Sequence, residues 1–550
     1  MKLRKLLFAI AIVALLGLGA AGIVLAADAK PQYGGEMIYG QAGAKFTLFP
    51  GRNTDSSAQD VWLYAYENLV ELNEKNEIIP WLAESWKVSA DKKTVTFKLH
   101  EGVKFHDGSP FNAEAVAFVF NEAKKKKFLY ISLLEGFDKA VADSEYEVSF
   151  HLEAPFAALL PNLAYRPLCI FSPKAYKEKG EQWLATHLVG TGPFIHKEYV
   201  KGEYVLFEKN PNYWQKGKPY LDRVRIVVIP DTTVRAAMLE KGEVDRAIGL
   251  SDFDLPRLEK KEKIKVRLMP STRQFYVVLN HLVHPLDHVN VRKAFNYAID
   301  KVGIVKSVFA NRGAVLSKAP TIAEGVYGFK DMRESGQKTI FPYNPEKAKM
   351  LLKNAGYVDR DKDGIVEDVK GNKLSLNLWT RKGKTKGDHQ VAQLLQAFLK
   401  DIGVDVKLTV MESAAFSSAM KLDPTKAKYE MALLSWGIPT ADPDEPMMYM
   451  TYTKAWKPHG ANRMFYSSEE LDKLAILAHT EPDEAKRKEH IIAWMQQLLR
   501  DTPVIYLPTL YFTLAERSYL HGGRILSTDN YPARFAWIDK EEMKKQGVER

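Results

Sequence analysis

A single cysteine in 550 residues, Cys169, excludes an internal disulfide. It lies in the apolar run Leu168-Cys169-Ile170-Phe171, the setting of a buried thiol that packs as a small hydrophobe. The missing disulfides leave the redox compartment open. No glycine-rich loop ends in Lys-Ser/Thr, no nucleophile elbow occurs, and no His-Glu-x-x-His stands on a helical stretch, so phosphate-loop, serine-hydrolase and zinc-protease chemistries lack their signatures. Internal repeats and low-complexity segments are absent too. Residues 124–127, four lysines, make the only basic run, which reads most simply as a solvated face. With no basic stripe beyond it, nucleic acid is not an expected partner.

The N-terminus departs from this soluble composition. Met1-Lys2-Leu3-Arg4-Lys5 is basic, residues 6–25 are apolar, and the small pair Ala26-Ala27 follows. That order is the pattern of a secretory signal peptide, with Val24 and Ala26 placing cleavage after Ala26. An uncleaved anchor is the alternative, because about twenty apolar residues can span a bilayer. No cysteine stands near the cleavage point to carry a lipid. The expectation is a periplasmic or otherwise extracytoplasmic protein beginning at Ala27. Loss of Lys2, Arg4 and Lys5 takes the net charge from +10 to +7.

Periodicity changes along the chain. Thr94 to Leu99 alternates polar and apolar as a half-buried strand does, and His106-Asp107-Gly108 supplies a turn. Asn112 is placed to cap a helix with Val116, Val119, Phe120 and Ala123 on one face. Residues 146–152 alternate again, and Lys201-Gly202 divides two short β runs as a hairpin would. From about residue 291 helices alternate with strands: a helix over 291–309, one capped at Asn344-Pro345 and stopped at Gly356, then strand 374–380, helix 388–402 and strand 404–411. Two helices fill 468–500 and part near Glu481-Pro482. This order implies a parallel or mixed sheet covered by helices. Two apolar segments, residues 275–280 and 504–507, are candidate crossings between lobes, and ligands favour the cleft that such crossings create.

Ordered segments carry a resemblance. Ile79-Pro80-Trp81-Leu82-Ala83-Glu84-Ser85-Trp86 precedes Gly102-Val103-Lys104-Phe105-His106-Asp107-Gly108 and Pro110-Phe111-Asn112-Ala113-Glu114. Later come Gly190-Thr191-Gly192-Pro193-Phe194, Asn210-Pro211-Asn212-Tyr213-Trp214, Val291-Arg292-Lys293-Ala294, and Trp436 with Asp442-Pro443. Taken together from about residue 34 to 515, they resemble the extracellular solute-binding proteins of family 5, which serve peptide, nickel and some sugar importers. The resemblance implies an α/β, two-lobe periplasmic-binding-protein-like fold of type II, in the large cluster with an extra β-rich subdomain in lobe one. It implies a signal peptide at 1–26, lobe one at 27–275 with the subdomain at about 76–208, lobe two at 276–506, and a return to lobe one at 507–550. The implied function is a monomeric, non-catalytic receptor that hands a small solute to an inner-membrane ABC permease. A secreted hydrolase is the competing class, and the nucleophile–base pair it needs is not evident.

Within the family, Pro80-Trp81-Leu82-Ala83, Tyr165-Arg166-Pro167 and Trp436-Gly437-Ile438-Pro439 are most similar to the nickel-binding receptors. That similarity implies a nickel-type metal chelate as ligand, with a short peptide as the alternative and a sugar third. It implies that Arg166 holds chelator carboxylates, that Trp436 walls the cavity, and that His459, aligned across a gap in a loop, adds a metal ligand. Lys127 and Tyr130 stand where the subgroup has a second arginine and tryptophan, and lysine lacks the arginine fork. Peptide-binding members carry an aspartate three residues after the equivalent of Trp436. Pro439 occupies that position here, with Asp442 and Asp444 as nearby substitutes. His281, His284 and His288 read as a solvated loop broken by Pro285. Asp359, Asp361 and Asp363 open like a calcium loop, but position twelve is Lys370, so calcium is a subsidiary expectation beside a plain turn.

Overall fold

A computed structural model describes residues 30–550 except 44–46, 54, 382–384, 457–459 and 529–530. The signal-peptide segment and His459 lie outside the described residues. No described helix is long and apolar enough to cross a membrane.

The fold is α/β in two lobes threaded on one continuous sheet. In lobe one, Glu36–Gln41 lies parallel to Arg223–Val228 and Arg246–Ile248, and the hairpin Phe194–Val200 and Tyr204–Lys209 extends its edge. In lobe two, Ser375–Arg381 lies parallel to both Asp405–Met411 and Met431–Trp436. Two long antiparallel strands, Ile264–Leu279 and Val504–Arg517, join the halves. The parity of the first crossing explains why residues 275–280 read as unbroken apolar sequence. Phe275, Val277 and Leu279 enter one core of lobe two, while Tyr276 and Val278 enter the core on the opposite face.

The pairing of the crossing strands slips between Pro270 and Gln274, and again before Tyr276. Ser271, Thr272 and Arg273 therefore leave the ladder where the chain passes between lobes. A bulge of this kind bends a strand and re-aims its side chains.

A separate four-stranded antiparallel sheet, formed by Ala83–Val88, Thr94–Leu99, Glu147–Leu152 and Phe137–Ala142, carries the helix Ala113–Lys126. The Asn112 side chain caps that helix by accepting from the Ala115 N–H at 3.0 Å. The single helix expected over 291–309 is two, Val289–Ala298 and Lys301–Ser307. Apolar spacing continues through the junction, but the Asp300 carboxylate accepts from the Gly303 N–H and starts a new helix.

Both lobes touch outside the crossings. The Ala157 N–H donates to the His479 carbonyl at 3.0 Å, and Lys386 of lobe two donates to the Leu250 carbonyl at 2.9 Å while meeting the buried Asp252 carboxylate of lobe one.

Candidate functional site: the cleft between the lobes

At the slipped crossing lies a cavity of about 360 Å³, walled by both lobes. That volume falls in the range of small-molecule sites, roughly 300–1,000 Å³. Lobe one contributes the start of helix Ser56–Ala65 and the loops bearing Tyr130 and Tyr165. Arg273 comes from the crossing, and Trp436, Pro439 and Glu445 from lobe two.

On the lobe-one side, the Asp55 carboxylate caps its helix through the Ser57 N–H at 2.8 Å. Gln59 donates to the Tyr165 hydroxyl at 3.1 Å, and the Tyr130 ring stands edge-on to Tyr165 at 5.1 Å. Tyr130 has φ 68°, a left-handed conformation that a bulky residue adopts only when its surroundings enforce it. Burial raises the Tyr130 phenol pKa, and the Glu445 and Asp55 carboxylates, one from each lobe, push it the same way. Tyr130 thus marks an acidic corner.

On the lobe-two side, Trp436 ends the strand Met431–Trp436 opposite Gln274. Its indole N–H is buried beside the Glu445 carboxyl but completes no hydrogen bond of ordinary geometry among the described residues. Gly437 follows because a Cβ there would stand 3.3 Å from both the Cβ and a guanidinium nitrogen of Arg273. Glu445 is half-buried, and the surface it keeps lies on the cavity. Desolvation pushes its carboxyl up to about 8. The Trp436 indole offsets this in part and Asp444 adds to it, while the buried Oε2 completes no hydrogen bond. Arg273 makes no ion pair with any described carboxylate.

Of the residues singled out from sequence, Tyr130 and Trp436 share the cavity wall. Arg166 lies to one side, beside a small neighbouring void, with its guanidinium donating to Asp60 at 2.8 Å. Lys127 is exposed and is not part of the wall. It takes the left-handed position that ends helix Ala113–Lys126, φ 51°, and its carbonyl accepts from Arg52. Asp442 is held by both terminal nitrogens of Arg487 at 2.7 Å, and Asp444 bonds His479 at 2.8 Å, so both carboxylates have internal partners. The three histidines of the 281–288 loop do unrelated jobs: His281 meets the Pro503 carbonyl, His284 meets Asp287, and His288 caps a helix. Asp359, Asp361 and Asp363 do converge, and the Lys373 ammonium contacts the latter two.

Asp55, Arg273 and Glu445 are the charged wall residues that sequence reasoning passed over, and the last two show why. Each sits among ordinary turn formers, Pro270-Ser271-Thr272-Arg273 and Asp442-Pro443-Asp444-Glu445-Pro446, with no spacing to set it apart.

Over residues 77–458 the chain matches the family described as bacterial extracellular solute-binding proteins, family 5 middle. The glutathione-binding protein GsiB of Pectobacterium atrosepticum is 30% identical over 511 residues, which cover 92% of this chain and 95% of that protein. The oligopeptide-binding protein AppA of Bacillus subtilis, solved with a nonapeptide, superposes with a TM-score of 0.73 at 26% identity, covering 92% of this chain and all of that one. NikA of Brucella suis, solved with Fe(III)-EDTA, shares the fold with a TM-score of 0.79 at 24% identity, over 92% of this chain and all of NikA. This chain belongs to the bacterial extracellular solute-binding proteins of family 5, the substrate-binding receptors of ABC importers.

Proposed function

We propose that this receptor captures a small zwitterionic, peptide-like solute in the interlobe cavity and delivers it, after export, to an inner-membrane permease. The observation that carries this reading is the charge separation across one cavity. Asp55 and Glu445 make an acidic corner beside Tyr130, Glu445 holding a proton at pH 7 that an incoming ammonium displaces, and Arg273 stands without a carboxylate on the crossing strand. An ammonium suits the first corner and a carboxylate the second, since a guanidinium matches a carboxylate with two parallel N–H donors. Trp436 and Tyr130 supply flat apolar walls between them, and the indole N–H, which completes no hydrogen bond of ordinary geometry with Glu445, is available as a donor to a ligand carbonyl. Because Asp55 and Glu445 come from different lobes, an ammonium between them is gripped fully only when the lobes are closed, which is how a ligand drives hinge closure. Similarity to a glutathione-binding and an oligopeptide-binding protein supports the same class.

A nickel chelate is the second reading. It keeps Tyr130 and Trp436 on the wall and assigns the chelator's negative charge to Arg273. Calorimetry on the mature protein separates the two, with glutathione and trialanine in one arm and nickel–histidine in the other. Binding of the peptides at ~micromolar or tighter is expected. Tight nickel–histidine binding with no peptide binding would overturn the peptide reading in favour of the chelate.

A further inference from the structure

Most buried arginines in this protein have a carboxylate or backbone carbonyls against their terminal nitrogens, although the Nε atoms of Arg246 and Arg534 complete no hydrogen bond. Arg246 meets Glu516, Arg487 meets Asp442, Arg534 meets Glu71 and Arg166 meets Asp60, while Arg235 and Arg292 spend their donors on backbone carbonyls. Near the crossing strand the pattern changes. Arg273 and Arg463 make no ion pair with a described carboxylate, and Arg463 faces the Ala461 carbonyl and the buried Tyr276 phenol.

The sheet register places a third arginine in the row of Tyr276, three residues along the crossing strand from Arg273. Tyr276 of the crossing strand lies opposite Leu434, and the neighbouring parallel strand pairs Trp379 with Ala432. Continuing that register two residues brings Arg381, the last residue of its strand, into the row of Leu434 and Tyr276. Its guanidinium lies 5.2 Å from the centre of the Phe416 ring, in the same apolar cluster as Tyr276 and Leu434. The three guanidiniums act electrostatically on the buried Tyr276 phenol, and Arg273 and Arg463 both act on Arg381. Asp388 is the carboxylate that acts on Arg381, and it also accepts from the Thr385 and His389 N–H groups.

Resting on the peptide-like reading, we infer that Arg273, Arg381 and Arg463 form an anion-binding corner of the cleft that selects solutes carrying a second carboxylate. One guanidinium satisfies the terminal carboxylate of a peptide. Three half-buried guanidiniums leave a surplus that repels itself, and desolvation adds to that cost at Arg381. A second anion removes both penalties at once, since arginine binds carboxylates through a fork that lysine lacks. Arg273 already stands on the cavity wall, and Gly437 leaves room for it to lie flat there. The ligand class is therefore a small dicarboxylate zwitterion, with one ammonium at the Asp55 and Glu445 corner.

The test compares glutathione with 4-aminobutyryl-cysteinyl-glycine, the same chain without the glutamyl α-carboxylate, on wild type, Arg463→Gln and Arg381→Gln. Wild type should prefer glutathione by tenfold or more, and each variant should reduce that preference toward unity. The ligand-free Arg463→Gln variant should melt no lower than wild type, because a like charge is removed and no ion pair to Arg463 is broken; Arg381→Gln also gives up its contacts with Asp388 and the Phe416 ring, so it is read by the change in glutathione preference. A structural role would instead lower the melting temperature and leave the preference intact. Equal binding of both tripeptides by wild type would overturn the anion corner and spare the peptide-like reading. If neither tripeptide binds while nickel–histidine does, that reading fails and takes this one with it.

Discussion

Arg166 and Asp60 form an ion pair at 2.8 Å with only 5% and 3% of their side chains exposed. The pair joins helix Ser56–Ala65 to the loop that carries Tyr165, so it braces the lobe-one wall of the cavity. Asp60 also accepts from the Tyr39 hydroxyl at 3.3 Å.

Breaking one side of such a pair strands a buried charge and costs about 3–5 kcal/mol. Arg166→Ala and Asp60→Ala should each lower stability by that order in urea titrations. The double substitution Arg166→Met with Asp60→Leu should recover most of the loss. If Arg166→Ala kept wild-type stability and abolished ligand binding, Arg166 would be a ligand contact, as the family resemblance implies.

Glu445 gives a pH dependence with a definite sign. Its carboxyl titrates near 8 in the folded protein and as an ordinary glutamate, near 4.5, when unfolded. The folded state therefore holds this proton more tightly, and the contribution of Glu445 to stability falls as pH rises from about 4.5 to 8. Glu445→Gln should match wild type at pH 4 and exceed it at pH 8.5 by an amount on the order of a few kcal/mol. Melting curves at the two pH values check this. A ligand ammonium at the same corner should lower the carboxyl's pKa, so binding at pH 7 should release about one proton. Calorimetry in buffers of different ionisation enthalpy measures that release.

Lys386 reaches from lobe two to the buried Asp252 and the Leu250 carbonyl of lobe one. Lys386→Gln should loosen this contact and lower the population of closed molecules. Apparent affinity falls in proportion to the closed fraction. Small-angle scattering should show a larger radius of gyration for the ligand-free variant, with ligand affinity weakened several-fold. Unchanged scattering and affinity would leave the pair without a role in closure.

Trp436 ends its strand with an indole N–H that faces Glu445 without completing a hydrogen bond of ordinary geometry. Trp436→Phe keeps a flat apolar wall and removes the donor, so it should cost roughly fivefold in affinity if a ligand carbonyl takes that bond, in line with about 1 kcal/mol for one hydrogen bond. Intrinsic fluorescence should shift on ligand addition in wild type and much less in Trp436→Phe.

Neighbouring residues encode local structure, and much of it is legible from them. The alternation of Thr94–Leu99, the Asn112 cap and the doubly apolar crossing at 275–280 depend on period and capping chemistry within a few positions, and each element stands where those patterns place it. Tyr130 and Trp436 reached the cavity wall through a motif resemblance. The expected helix over 291–309 failed at Asp300, where a local cap overrode continuing periodicity.

The site's charges were decided by tertiary structure. Arg166 finds Asp60 across 106 residues, and Lys127 ends a helix facing solvent. Arg273 is left without a carboxylate because a slipped register turns it into the cleft, and burial at the cavity wall raises the Glu445 carboxyl's pKa to about 8. Which charge is paired, buried or left for a ligand depends on distances between segments far apart in sequence. The sequence by itself determined the elements, their order and the family. Only the packing of two lobes about a bent crossing decided which cations and carboxylates the cavity keeps.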